Sequence, residues 1–128
     1  MTENQIKEFI RLSDIFIEDC DRVASILKDA PEHKRECCNI SYANHFKLDG
    51  DSVSWEGVEF WSYGGEEYHS GSFPAEYLTM TDEQLMEIVK QKIEKHEAEV
   101  KAEEEAKRAK AIEERRKEYE KLKKEFEQ

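Results

Sequence analysis

Residues 82–128 read DEQLMEIVKQKIEKHEAEVKAEEEAKRAKAIEERRKEYEKLKKEFEQ, a run with no Gly, no Pro and a charge at about every second position. Nothing in it interrupts a helix, and at about 1.5 Å of rise per residue it predicts a rod roughly 70 Å long. Thr81 with Gln84 supplies a capping box at its start, Met80 and Leu85 are placed as a hydrophobic staple, and Asp82 and Glu83 lie at the positive end of the helix dipole.

Met86, Val89, Ile93, His96 and Val100 form one seam with alternating spacings of three and four. Apolar side chains return at Ile112, Tyr119, Leu122 and Phe126, and at about 100° per residue this second seam is rotated by roughly 120° from the first. One straight partner cannot cover both. The first seam is expected to pack on the chain's own head. The second is left as a solvated face, a homodimer or higher-oligomer contact, or a dock for a foreign protein. Along residues 97–124 the favourable i,i+4 pairs are Glu97 with Lys101, Glu103 with Lys107, Glu104 with Arg108, Glu113 with Lys117 and Glu120 with Lys124. At about 0.2–0.5 kcal/mol each, they support an exposed helix without demanding a partner.

Upstream, Ile6, Phe9, Ile10, Phe16, Ile17, Cys20, Val23, Ala24 and Leu27 mark one face of a helix capped by Thr2 with Gln5 and ended by Pro31; Leu12, Ile15 and Ile26 widen the stripe. After a polar connector at 32–39 the period falls to two. Ile40, Tyr42, Asn44, Phe46 and Leu48 alternate with Ser41, Ala43, His45 and Lys47. Asp49-Gly50 reads as a two-residue hairpin turn and Gly64-Gly65 as a second, with Gly57 either a turn or a bulge and Pro74 closing the last strand. The expected fold is α+β: an N-terminal helix, an antiparallel meander of three or four strands, and a long C-terminal helix. The expected division is a head at 1–80 and a helical arm at 81–128.

The formal net charge is −11, and it all lies before residue 91: residues 1–90 hold 19 acidic and eight basic groups, whereas residues 91–128 hold 12 of each. Such a head repels phosphate backbones and argues against direct nucleic-acid binding, while favouring a basic protein surface. No apolar run is long enough for a membrane span, the polar N-terminus predicts no secretory signal, and three cysteines, two of them adjacent, suit a reducing cytoplasm. His33 with Cys37 and Cys38 makes a poor tetrahedral metal set, and neither a nucleophile motif nor a phosphate loop is present. No catalytic residue, metal or cofactor is therefore expected.

The densest functional-looking stretch is residues 55–68. With Val58 and Phe60 inward, Glu59, Trp61 and Tyr63 would point outward, and rings beside carboxylates suit arginine-rich partners. The alternative is that these rings are core. The candidate partner-binding set is Glu59, Trp61, Tyr63, Glu66, Glu67 and Tyr68. In size, charge and layout the chain resembles the compact acidic inhibitors and accessory proteins of phages and mobile elements, which implies a stoichiometric binder of a basic defence or nucleic-acid-handling protein. A rival reading is an oligomeric sponge for a nucleotide-like molecule, using Tyr63, Tyr68, His69, Lys47 and Arg35. A third is an assembly factor acting through the C-terminal helix by Ile112, Tyr119, Leu122 and Phe126.

Overall fold

A computed structural model describes residues 1–127. The order is helix α1 (Glu3–Leu27), strands β1 (Ala43–Asp49), β2 (Ser52–Phe60) and β3 (Glu66–Pro74), and helix α2 (Asp82–Glu127). Short 3-10 turns lie at Pro31–His33, Ile40–Tyr42 and Ala75–Thr79. The strands form one antiparallel meander, β1-β2-β3. Among the described residues no helix is long and apolar enough to cross a membrane.

Both expected capping boxes form. Thr2 and Gln5 exchange side-chain–backbone bonds of 2.8 and 3.1 Å, and Thr81 and Gln84 do so at 2.9 and 3.2 Å. Each satisfies an otherwise orphaned N–H at a helix start.

The chain divides into two compact units, Met1–Ile93 and a second from Glu94 onward, so the opening turns of α2 belong with the sheet. The first unit has one core, built from Cys20, Val23, Ala24 and Leu27 of α1, Val53, Trp55 and Phe73 of the sheet, Ile40, Tyr77, and Leu85 and Val89 of α2. Both helices therefore cover the same sheet face. The opposite face is bare, with Glu56, Phe60, Tyr68, Ser70 and Ser72 exposed.

Several local expectations are corrected. The apolar face of α1 is real, but only its last two turns are buried; Ile6, Phe9, Ile10, Leu12, Ile15 and Ile17 remain exposed. A three-stranded sheet contributes too few inward side chains to cover a 25-residue helix. On α2 the buried positions are Leu85 and Val89, backed by Ile88 and Ile93, whereas Met86, His96 and Val100 are exposed. Val89 and Ile93 of the expected seam are thus packed, Leu85 and Ile88 take the place of Met86 beside them, and the packed stripe ends at Ile93.

Strand β1 begins at Ala43, because Ile40 and Tyr42 lie in a 3-10 turn whose first N–H groups include one capped by Asn39 (Ser41 N–H to Oδ1, 3.0 Å). The first hairpin turn is Gly50-Asp51, closed by the Asp49 and Ser52 pair, one residue later than expected. Gly50 alone has positive φ, at 61°, which is the pattern of a II′ turn with glycine first.

Gly57 is neither a turn nor a bulge. It lies within β2, opposite both Ala43 and His69, and the register irregularity falls across from it in β1, between Ala43 and His45. Its missing side chain is required by crowding: a Cβ there would sit 1.8 Å from the Tyr42 carbonyl oxygen. Because β2 runs straight through Gly57, the alternation set by Val53 and Trp55 continues unbroken. Glu59 therefore shares the core-side face, and Val58 and Phe60 lie on the bare one, the reverse of the expected phase.

Candidate functional site

Strand pairing sets Gly57 against His69 and Glu59 against Glu67 on the core-side face, beyond the apolar core. Two carboxylates directly opposite one another repel, so the pair needs donors. Three are supplied. The Tyr42 hydroxyl donates to Glu59 Oε1 at 3.1 Å, the Cys37 thiol donates to Glu67 Oε1 at 3.3 Å, and His69 Nε2 bonds Glu59 Oε2 at 3.0 Å. Tyr42 also stacks on the His69 ring, with centroids 5.0 Å apart and planes 15° apart.

The His69 tautomer follows from its other nitrogen. The Asn39 backbone N–H donates to Nδ1 at 3.1 Å, so Nδ1 is unprotonated and Nε2 carries the hydrogen given to Glu59. His69 is 4% exposed, with both nitrogens engaged. It has no free nitrogen with which to act as a general base. The same geometry tests the metal reading. Ligand atoms of Glu59, Glu67 and His69 lie within 4.8 Å of one another. Ligation through Nε2 would require a proton on Nδ1, pointed at the Asn39 N–H, so these residues do not fit a metal ion well.

Protonation behaviour agrees with a carboxylate-centred network. The hydrogen bond from His69, reinforced by Tyr42, holds the Glu59 carboxyl below its ordinary range despite its partial burial. The hydrogen bond to Glu67 pushes the Cys37 thiol up, as does the bond to Glu59 for the Tyr42 phenol. Burial, with Asp19 and Asp21 nearby, pushes Cys20 up to about 11. Neither cysteine has the cationic surroundings that make a thiolate nucleophile.

Glu59 gives a pH prediction. A carboxyl whose folded pKa is depressed contributes stability above its unfolded value, near 4.5, and loses that contribution as pH falls through the folded value. Glu59→Gln keeps an acceptor for His69 but removes the titration. Thermal melts are expected to show the largest gap between wild type and E59Q near neutral pH and a shrinking gap below about pH 4.5. A gap unchanged down to pH 2 would show that Glu59 carries no depressed titration.

The partner-binding set is divided by this geometry. Glu59 and Glu67 join the core-side network, while Glu66 and Tyr68 lie on the bare face, where the Tyr68 hydroxyl donates to Glu66 at 2.9 Å. Trp61 and Tyr63 lie in the β2–β3 loop, which Trp61 N–H to Gly65 O closes at 2.8 Å and Gly64 turns with φ of 85°. Tyr63 is 98% exposed at its tip. All six thus cluster at one end of the sheet without sharing a face. The ligand set converges less: His69 is buried, Lys47 is on the bare face of β1, and Arg35 is in the exposed connector.

A cleft of about 860 Å³ adjoins the cluster, lined by Tyr42, Asn44, His45, Glu56, Val58, Phe60, Tyr68 and His69 with neighbouring backbone. No lysine or arginine lines it. Sequence reasoning missed Phe60, Tyr42 and Asn39 as parts of this region. Phe60 was recoverable by carrying the Trp55 phase through Gly57, but the Tyr42 and Asn39 contacts arise from chain segments distant in sequence. Ile112, Tyr119, Leu122 and Phe126 are all exposed on the second unit's helix. There Glu113 pairs with Lys117 at 3.8 Å, and Glu120 pairs with Arg116 at 3.5 Å instead of with Lys124.

Comparison with known proteins gives no match: no family model, no curated protein and no solved structure is significantly similar to this chain.

Proposed function

We propose that this protein is a non-enzymatic acidic binding protein, a stoichiometric inhibitor or accessory factor, that engages a basic protein surface through the hairpin end of its sheet. One observation carries the reading: residues 56–68, around the β2–β3 hairpin, hold four carboxylates and no lysine or arginine, and Phe60, Trp61, Tyr63 and Tyr68 are all exposed there. Open rings beside carboxylates receive guanidinium groups by stacking and by charge-assisted hydrogen bonds. The Glu66 and Tyr68 pair presents both elements on the bare face. A nucleotide has less to recommend it there, because the cleft offers aromatic surface but no cation for phosphate.

The test is calorimetric titration with nona-arginine and nona-lysine peptides at two salt concentrations. Arginine is expected to bind more tightly than lysine, because only guanidinium stacks on the rings as well as pairing with the acids. Raising salt from about 50 to 300 mM should weaken binding severalfold. Trp61→Ala with Tyr68→Ala should narrow the arginine preference while leaving the salt dependence. Equal binding of both peptides, or affinity indifferent to salt, would remove the support for this reading.

A further inference from the structure

Trp55 is buried on the core-side face of β2, and its indole N–H has no hydrogen-bond partner among the described residues. A buried donor left unpaired is rare in a native fold, because it has given up water and received nothing in exchange. The edge of the ring that carries it lies against β3. Gly71 faces Trp55 across the ladder, and a Cβ at that position would lie 3.1 Å from Nε1 and closer still to two ring carbons. Only glycine lets the nitrogen edge come down onto the β3 backbone.

A cleft of about 350 Å³ lies at this place, with Trp55 and Gly71 among its walls. All of its lining residues belong to the first unit, and none falls within the 56–68 hairpin. Ligand pockets run from about 300 to 1,000 Å³, so this one suits a compact molecule and exceeds the space of the single water that one donor needs.

Its walls are of two kinds. Pro74 and Tyr77 give apolar surface, and Tyr77 is fixed by stacking on Phe73 with centroids 6.4 Å apart. Glu32, His33, Cys38 and Lys92 give polar groups. The charges among these cancel, because Lys92 pairs with Glu32 while lying 5.9 Å from the centre of the Tyr77 ring. Burial holds the His33 imidazole below its usual range, so it is neutral at neutral pH and offers hydrogen bonds without charge. A free anion finds no uncommitted cation here and meets a chain of net charge −11. A free cation finds Glu32 already matched. What is left unfilled is one strong donor beside an apolar wall.

We infer that this cleft binds a small uncharged amide, a molecule with a planar carboxamide or lactam group on an apolar body. Its carbonyl oxygen accepts the Trp55 indole N–H, its own N–H finds acceptors in the His33 imidazole and the Glu32 carboxylate, and its body lies against Tyr77 and Pro74. The site is independent of the arginine-binding reading, with which it shares no residue.

The experiment follows the isotope-labelled indole N–H signals of the full chain by NMR while benzamide, benzoate or toluene is added. The chain has two tryptophans, and the Trp55 signal is the one that survives Trp61→Phe. Benzamide is expected to move that signal downfield and to saturate in the millimolar range. Benzoate should bind roughly fivefold more weakly because of its charge, and toluene should give no downfield shift. Cys38→Leu adds volume at a half-buried wall position and should weaken benzamide roughly fivefold, with circular dichroism showing an intact fold. In Trp55→Phe, saturation transfer from protein to ligand should show no preference for benzamide over toluene. An indole N–H that ignores benzamide and exchanges magnetisation with water alone would overturn the proposal, leaving an ordered water as its partner. Benzoate or toluene acting as strongly as benzamide, or Cys38→Leu binding benzamide unchanged, would overturn it equally.

Discussion

Gly57→Ala is expected to destabilise the protein by about 3 kcal/mol or more, the upper end of what an overpacked methyl costs. The added carbon would lie 1.8 Å from the Tyr42 carbonyl oxygen and 2.5 Å from its carbon, with the Ala43 nitrogen 3.2 Å away. These are backbone atoms, so no rotamer change relieves the collision. Either β2 bends or the Ile40–Tyr42 turn lifts from the sheet. The second movement would separate Tyr42 from Glu59 and His69, and Asn39 from His69 Nδ1, disturbing the polar network along with the fold. Urea denaturation followed by circular dichroism measures the loss. A cost below about 1 kcal/mol would mean that the Tyr42 turn does not press on β2 as the structure describes. Gly50, by contrast, has nothing within 4 Å of a Cβ, and substitution there would act through its φ of 61° alone.

Trp55→Ala should have an effect of similar or greater size, about 3–5 kcal/mol. Trp55 is the largest fully buried side chain and lies opposite Gly71, where an added Cβ would come within 2.6 Å of the indole. The indole fills the space above that glycine, so truncation leaves a cavity in a core assembled from only a dozen buried apolar residues. With typical stabilities of about 5–15 kcal/mol, the alanine variant should be largely unfolded well below the wild-type melting temperature. The buried indole N–H has no hydrogen-bond partner among the described residues, and phenylalanine and alanine both remove it. Trp55→Phe keeps most of the ring volume, so it should lose clearly less stability than the alanine variant, with equilibrium denaturation as the measure. Equal losses would mean that the retained ring does not fill the space above Gly71.

The two substitutions probe different kinds of information. Trp55 could be placed in the core from its alternation with Val53, a relation between near neighbours. The pressure on Gly57 could not, because it comes from Tyr42, which reaches the strand only when the connector folds across it. The same division explains the errors in phase. A glycine in a strand suggests a break, yet here the strand is continuous, and its unbroken parity carries Glu59 to the core side and Phe60 to the bare face. The candidate site was half legible for this reason. Its carboxylates and rings were evident as a dense local cluster, but their distribution between two faces and a loop depended on register. The donors that satisfy Glu59 and Glu67 come from residues 10, 17 and 30 positions away.

Local order along the chain was sufficient for the capping boxes at Thr2 and Thr81, the uninterrupted C-terminal helix, the antiparallel meander and the concentration of negative charge before residue 91. These depend on interactions spanning three or four residues, or on composition. Tertiary structure alone decided which turns of each helix are covered. Ile6 and Leu27 carry equivalent signals on the same helical face, yet one is about half exposed and the other fully buried. Periodicity reports which side of a helix is apolar. How far along that side burial extends is set by the area of the sheet that meets it, and a three-stranded sheet runs out before the helix does.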